Sequence, residues 1–500
     1  MSESLNSSRW VRVAVWLLLT LAAARGLALV LHDPLIGLAN NFDMIRVQAC
    51  IDAYPVRDES IAPWTNSWQA PIERYRFLED VDQPCFVSSE ALVAFAAWPM
   101  MRWQAAASED GSFSLRIVGL AKLALMLIIA VIAVSVLLRS RQASGALAVA
   151  LLAAVVAMDP AVTQYLNGFY AEFSAFAWAF LAAVLLAAGL GGRSPGWWLP
   201  MLIFLAMVLA ILAKIQYVAL GLIFALALVG WMLWTGRRPD GRVTVAVVLA
   251  ALVGGAAQLA HMNSESTTSI RHANLTNTVM HTVLGSATDP HRAAMRLGLP
   301  EHCGDYAGES WFSPLMADGH PCPEIKQMSR VRLLWLGVLE PVTLGRALGR
   351  GLIQVRPWLG PPVLGRQAGA ESAPLPPSFF TLSDWLDRLP VGVFAVLFLA
   401  PPLIMLLLIP TARAGQLGDS LVFGLLLTAG LPWAMLVTVV FGDGLADVAK
   451  QSHLGTAALL SFWLLLAMRL ISARTIHDPA YCDDSRPRIC DVSLGRESSP

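Results

Sequence analysis

Charge is scarce in this sequence. Asp, Glu, Lys and Arg supply 14% of its 500 residues, against roughly 25% in an ordinary soluble domain. That deficit excludes a surface that faces water all round. There is no excess of either sign: 35 basic residues balance 35 acidic ones, so overall charge points neither to nucleic acid nor to an acidic partner. The six cysteines show no CxxC spacing, which argues against metal-finger and thioredoxin-type chemistry. No P-loop, GxGxxG, HExxH or GxSxG motif stands in a fitting context. This weighs against an ATPase, a dinucleotide enzyme, a zincin and a serine hydrolase.

What the sequence has instead is apolar length. Hydrophobic residues make up 56% of the chain, and the mean hydropathy is +0.60. A helix needs about 20 apolar residues to cross a bilayer. By that measure spans are predicted near 13–31, 115–138, 143–158, 171–190, 197–213, 216–235, 243–260, 391–410, 421–441 and 454–472, the third and fifth being short. The fold class is therefore an all-α integral membrane protein. The run from Val13 to Leu31 exceeds the roughly 7–15 residues of a signal-peptide core, and His32, Asp33 and Pro34 follow it rather than a small-residue cleavage site, so it reads as a retained helix. Pro401 and Pro402 are expected to kink the eighth span. The 17 tryptophans suit interfacial belts.

Arginine orients the map. Placing Arg9 and Arg12 in the cytoplasm also places Arg139, Arg141, Arg193, Arg237, Arg238, Arg242 and Arg413 there, while the short outer connections hold only Lys214 and Lys450. The positive-inside rule then puts both termini in the cytoplasm. The resulting order is a cytoplasmic segment 1–12, a membrane module 13–260 with a long outer segment 32–114, an outer segment 261–390, a second membrane module 391–472, and a polar tail 473–500 expected to be disordered. The outer segment 261–390 is large enough for a small subdomain, and 360–378 reads as an extended linker. No inverted repeat of the transporter kind is visible. Cys50 and Cys85 share the first outer segment and Cys303 and Cys322 the second. Each pair is a candidate disulfide in an oxidising periplasm, with four free thiols as the alternative.

Ionisable side chains at membrane helices cost several kcal/mol unless paired or used, and here they gather at the outer ends: Asp43, Asp159, Glu172, Lys214, Asp443, Asp447, Lys450 and His453. Each has a plain reading beside the functional one. Asp43 suits a general base or a metal ligand, and equally an N-cap of the helix MIRVQACIDAY. Lys214, between two spans, suits a phosphate or simple snorkelling to the interface. Tyr170 and Glu172 suit a site, an interfacial anchor, or the first turn of a helix. Asp443, Asp447 and Lys450 stand at i, i+4 and i+7, a spacing that suits one shared helical face or, as the plain reading, a solvated cap. Residues 87–103, apolar but broken by Glu90, Pro99 and Arg102, suit a helix lying along the interface.

Several segments together resemble a family of bacterial multi-pass membrane proteins described as glycan-biosynthesis hexose transferases, within the GT-C glycosyltransferase superfamily. They are NNFDMIR, FSLRIVGLAK, QYLNGFYAEFSAF, AKIQY, the long string from Leu275 to Phe312, and FGDGLADVAKQSHL, spread over about residues 13–472. The chain departs from the family pattern in having Phe42 where a glycine is usual, and Lys450 with His453 where Arg-His is usual. The resemblance implies a multi-pass protein of the bacterial cytoplasmic membrane. Its partners would be the bilayer, a polyprenyl-phosphate sugar and a glycan acceptor. It implies Asp43 as base or divalent-cation ligand. On this reading Lys214 and Lys450 would stabilise the leaving donor phosphate, Arg46 would bind substrate or donor, and Tyr170, Glu172, Asp443 and Asp447 would orient sugar or acceptor. Two other readings stand beside it: a flippase or transporter of a lipid-linked glycan, and a non-catalytic membrane scaffold.

Overall fold

The computed structural model describes residues 2–40, 42–62, 64–65, 71–191, 196–316, 319–355 and 382–477. The predicted linker 360–378, Arg193 and the tail beyond His477 lie outside them. Helix α1 runs Ser2–Val30. The first outer segment then carries α2 (Phe42–Gln48), strands β1 (Ala53–Pro55) and β2 (Arg74–Phe77), α3 (Glu90–Ala107) and β3 (Ser112–Ser114). Helix α4 (Arg116–Arg139) returns across the bundle. It is followed by α5 (Ala143–Leu152, continued by a π-helical turn to Ala157), the short α6 (Pro160–Thr163), α7 (Ala171–Gly191), α8 (Trp198–Ile211), α9 (Val218–Thr235) and α10 (Gly241–Met262). The second outer segment holds α11 (Thr268–Thr276), α12 (Pro290–Arg296), α13 (Val331–Leu339), α14 (Pro341–Gln354) and α15 (Leu382–Arg388). The chain closes with α16 (Val391–Arg413), α17 (Asp419–Gly442), the single turn α18 (Val448–Gln451) and α19 (His453–His477).

Eight of these helices are long and apolar enough to span a bilayer, and the two shorter apolar ones, Ala143–Ala157 and Trp198–Ile211, fall where the third and fifth spans were expected. Helix α9 shows why the sequence makes such elements. Its Leu222, Leu226, Val229 and Leu233 form one exposed stripe, while Leu220, Phe224, Ala227 and Trp231 face inward. That is the reverse of a soluble amphipathic helix: apolar on both faces, with the outward one suited to lipid. It stops at Gly236, whose left-handed backbone ends the helix, and α10 restarts under the Asp240 carboxylate, which accepts from Arg242 N. Helix α17 is central and packs on α7, α9, α16 and α19. Prolines 401, 402 and 410 sit inside one continuous α16.

The first outer segment differs from expectation in two ways. It contains a three-stranded antiparallel sheet in the order β1-β2-β3, which the hydropathy pattern does not announce. The helix after Asp43 also ends at Gln48 instead of running on through Tyr54, because Cys50 is tied to Cys85 and Ala53–Pro55 pairs with β2. Helix α3 keeps an apolar face outward through Leu92, Phe95, Met100 and Trp103. Its other face is buried, beginning at Glu90.

The second outer segment has its own core, built on Val279, Met280, Leu284, Leu297, Leu336 and the Cys303–Cys322 disulfide. It is a small subdomain docked on the bundle, partly through Arg330, whose guanidinium caps the Phe441 and Gly442 carbonyls at the end of α17 at 2.9 Å each. Both candidate disulfides are formed, with Cα separations of 4.6 and 5.4 Å. Replacing Cys303 and Cys322 together by alanine is expected to cost the subdomain about 2–4 kcal/mol of local stability. Faster protease cleavage between residues 263 and 355, with the membrane helices left intact, is the readout.

Candidate functional site

Four separate stretches of chain converge at one end of the bundle. Helix α2 brings Asp43 and Arg46, the start of α7 brings Glu172, the connection before α9 brings Lys214, and the turn between α17 and α19 brings Asp447 and Lys450. Asp43 is the hub. Its Oδ2 accepts from Lys214 Nζ at 3.0 Å and Lys450 Nζ at 2.8 Å, and its Oδ1 from Arg46 Nη1 at 2.9 Å. Lys214 also donates to Glu172 Oε1 at 3.0 Å, and Lys450 also pairs with Asp447. The Glu172 side chain is fully buried, while Asp43 and Lys214 retain 14% and 13% exposure. The hub is therefore lodged in a wall but open on one side.

That side is a cavity of about 630 Å³. Its floor is Asp43, Arg46, Glu172 and Lys214. Phe86, Val87 and Ser88, with Gln258 and His261 of α10, line one side, and Asp443 and Gln451 line another. The subdomain supplies the roof through Arg271, Asn274, Lys326 and Arg330. Two buried polar atoms on the floor, Glu172 Oε2 and Arg46 Nε, have no hydrogen-bond partner among the described residues. One accepts and the other donates, as a hydroxylated, anionic ligand requires.

Electrostatics set the state of each group. Burial alone would raise the Asp43 carboxyl, but Lys214, Lys450 and Arg46 outweigh it and hold the carboxyl well below the usual range. Burial would lower Lys214, and Asp43 and Glu172 reverse that and raise it. Lys450 is raised well above its ordinary value by Asp43 and Asp447 against the same burial. Asp447 goes the other way: burial lifts its carboxyl more than Lys450 lowers it.

The remaining expected residues take supporting places. Tyr170 is fully buried and gives its hydroxyl to Ala39 O at 2.5 Å, with Lys450 Nζ 5.8 Å from its ring centroid. It is a wall behind the lysine and not a surface of the cavity. Asp443 accepts from Gln451 and, with the Asn274 amide nitrogen turned toward it, from Asn274 at 2.6 Å. Asp443, Asp447 and Lys450 do not share one helical face, because the chain breaks at Gly444. Gly444 has φ +76° and lies so close to the subdomain that a Cβ there would meet Asn277 O at 2.5 Å. Asp159 serves elsewhere: it caps α6 and accepts from Leu382 N and Ser383 N at the start of α15. His453 places its ring nitrogens 3.1 and 3.0 Å from the Lys450 and Glu172 carbonyls and so joins the two arms from behind.

Sequence reasoning passed over Arg271, Lys326, Arg330, Gln258 and Lys122. The first four reach the site only through long-range packing. Lys122 had a local signal, since a lone lysine inside an apolar span is itself conspicuous.

A divalent cation needs several carboxylate oxygens with lone pairs left over. Here Asp43 meets three cationic groups, Glu172 Oε1 meets Lys214, and Asp447 meets Lys450. Three carboxylates thus face Arg46, Lys214 and Lys450 in balance, and a dication would stand against three like charges. The residues do not fit a metal ion. Among the described residues, another close group of such side chains, His302, Cys303 and Glu324, loses its thiolate to the Cys303–Cys322 bond. The thermal midpoint of the purified protein is therefore expected to be unchanged by EDTA or millimolar Mn²⁺, and to rise with an anionic phosphate ligand. A rise with Mn²⁺ that Asp43→Asn abolishes would contradict this.

No curated protein matches this chain. One family does match, over residues 3–328, a stretch that includes Asp43, Arg46, Tyr170, Glu172 and Lys214 and the roof residues Arg271 and Lys326. Because that stretch covers well over half of the sequence, the chain belongs to the family described as the YfdI N-terminal transmembrane domain.

Proposed function

We propose that this protein is an inverting, GT-C-like glycosyltransferase of the bacterial cytoplasmic membrane. It would move a sugar from a polyprenyl-phosphate donor to a cell-surface glycan or lipid-linked acceptor on the periplasmic face. The observation that carries this reading is a single carboxylate, Asp43, held among three cations on the floor of a cavity at the end of the bundle where the short connections carry Lys214 and Lys450 and no arginine.

In this reading the bond between the sugar C1 and the phosphate oxygen breaks as the acceptor oxygen bonds to C1 from the opposite face. The acceptor's hydroxyl proton passes to Asp43. Negative charge accumulates on the departing polyprenyl phosphate, where Arg46, Lys214 and Lys450 are placed to stabilise it. Glu172, through its open Oε2, and Asp443 accept hydroxyl hydrogen bonds. Asp447 and Tyr170 hold Lys450 in place. The donor also tunes the base. Without ligand the cations hold Asp43 low and make it a weak base. A phosphate that takes up the same ammonium groups releases the carboxylate, and its pKa rises toward the ordinary range.

The sign of this effect is testable. Asp43 must be ionised to act, so activity is lost as pH falls through its pKa. The acid limb of kcat/KM reports the free protein and is expected at lower pH than the acid limb of kcat, which reports the complex. Coincident limbs would remove the tuning. Asp43→Asn is expected to lower transfer by about 10²–10⁴-fold, as loss of a general base does. Full transfer by that variant would dismiss Asp43 as the base, and lipid scrambling without bond cleavage would favour a transporter.

Sidedness has its own test. In a background with Cys482 and Cys490 replaced by serine, an impermeant maleimide should label Glu109→Cys from the periplasm and Arg238→Cys only after permeabilisation. The reverse pattern would put the cavity in the cytoplasm.

A further inference from the structure

Below the cavity floor lies a second ion pair that touches neither the cavity nor solvent. Lys122, on α4, and Glu90, at the first turn of α3, are both completely buried, with Lys122 Nζ 2.5 Å from Glu90 Oε1. The lysine's other hydrogens go to two backbone carbonyls, Tyr165 O at 3.0 Å and Gly168 O at 2.6 Å. Ser174, in the first turn of α7, donates to Glu90 Oε2 at 2.7 Å. The lysine thus meets one carboxylate oxygen by charge and two backbone carbonyls by hydrogen bonds, while Ser174 holds the other carboxylate oxygen.

What the pair holds is the approach to the site. The turn at 165–168 leads directly into Tyr170 and Glu172. Tyr165 also reaches forward to Lys450 O with its hydroxyl at 3.3 Å. Helix α4 can lie against this turn because residue 119 is glycine: a Cβ there would fall 2.1 Å from Asn167 Oδ1. On the other side, the residues that open α3 are stitched to the segment before Lys214. Ser88 Oγ donates to Ala213 O at 2.7 Å and Ser89 N to Leu212 O at 3.1 Å. One buried pair therefore lies between the backbone that presents Glu172 and the backbone that presents Lys214.

We propose that Glu90 and Lys122 are positioning residues: Lys122 clamps the 165–168 turn that sets Glu172, and Glu90 ties that clamp to the chain carrying Lys214. A buried pair is a poor device for stability alone, since apolar residues of similar volume commonly replace one at no loss. Apolar residues cannot, however, bind the Tyr165 and Gly168 carbonyls. A charge swap separates the two roles, because it keeps the ion pair but moves the ammonium onto α3, away from those carbonyls. The kinetic part of this inference rests on the transferase reading; the structural part does not.

The test uses the full chain in lipid nanodiscs. The variants are Glu90→Leu with Lys122→Met, Glu90→Lys with Lys122→Glu, and the milder Ser174→Ala. Both double variants leave the Tyr165 and Gly168 carbonyls without their donor, so they are expected to fold at a lowered thermal midpoint and to show faster amide exchange across residues 164–172 than in the rest of the bundle. Their kcat should fall about 100-fold, the scale expected when catalytic groups shift by about 1 Å, while KM for the polyprenyl-phosphate donor moves less than about threefold. Ser174→Ala should move exchange and kcat the same way by a smaller factor, and it decides the matter should the double variants not fold. Parent-like exchange and kcat in the folded variants overturn the proposal. If the parent itself transfers no sugar, the transferase reading fails and the exchange measurement still decides the clamp.

Discussion

The carboxylate of Asp43 gathers this structure. Its three cationic partners come from its own helix turn, from Lys214, and from Lys450 near the end of the chain. Partial exposure fixes the energy scale. A pair in free solvent contributes about 0–1 kcal/mol, whereas removing one member of a buried pair costs about 3–5 kcal/mol. With 14% of Asp43 and 13% of Lys214 still exposed, the hub lies between these limits. It is strong enough to order the bundle end in the absence of ligand and open enough for an anion to compete for its lysines. In the proposed reading the lysines of this balanced set are what the donor phosphate would engage.

The cavity has a floor and a roof of different origin. The floor is membrane bundle, and the roof is the second outer segment with its own core and disulfide. Gly444 and Arg330 are where the two meet. The glycine lets the Asn277 backbone approach, and the arginine closes the end of α17. The family match spans most of both parts but ends before Asp443, Asp447 and Lys450. The last wall of the site is thus supplied by a stretch of chain outside the matched region.

Hydropathy made the membrane helices legible, since every predicted span overlaps an observed helix, including the two short ones. The cost of a carboxylate or lysine beside a span also singled out residues in the sequence, of which Asp43, Glu172, Lys214, Asp447 and Lys450 come together and Asp159 does not. Geometry finer than that was not legible. Asp443, Asp447 and Lys450 look like one helical face by spacing alone, and only the tertiary contact at Gly444 shows why the helix must break. The small sheet escaped notice because its strands are three or four residues long and sit in a polar segment. Arg271, Lys326 and Arg330 carry no local mark of function, since the folding of the subdomain alone brings them over the floor. Lys122 was visible as an isolated charge in α4, but its partner lies on α3 and its carbonyl acceptors precede α7, so its purpose is a property of packing.

The spacing of the hub's members along the chain also bears on biogenesis. Asp43 leaves the ribosome long before Lys214, and Lys450 comes last, just ahead of α19. During synthesis the carboxylate has Arg46 of its own helix first, then acquires Lys214, and meets Lys450 later. This end of the bundle is therefore electrostatically unfinished until the chain has been made as far as Lys450, so the hub reports on how much of the chain has been assembled.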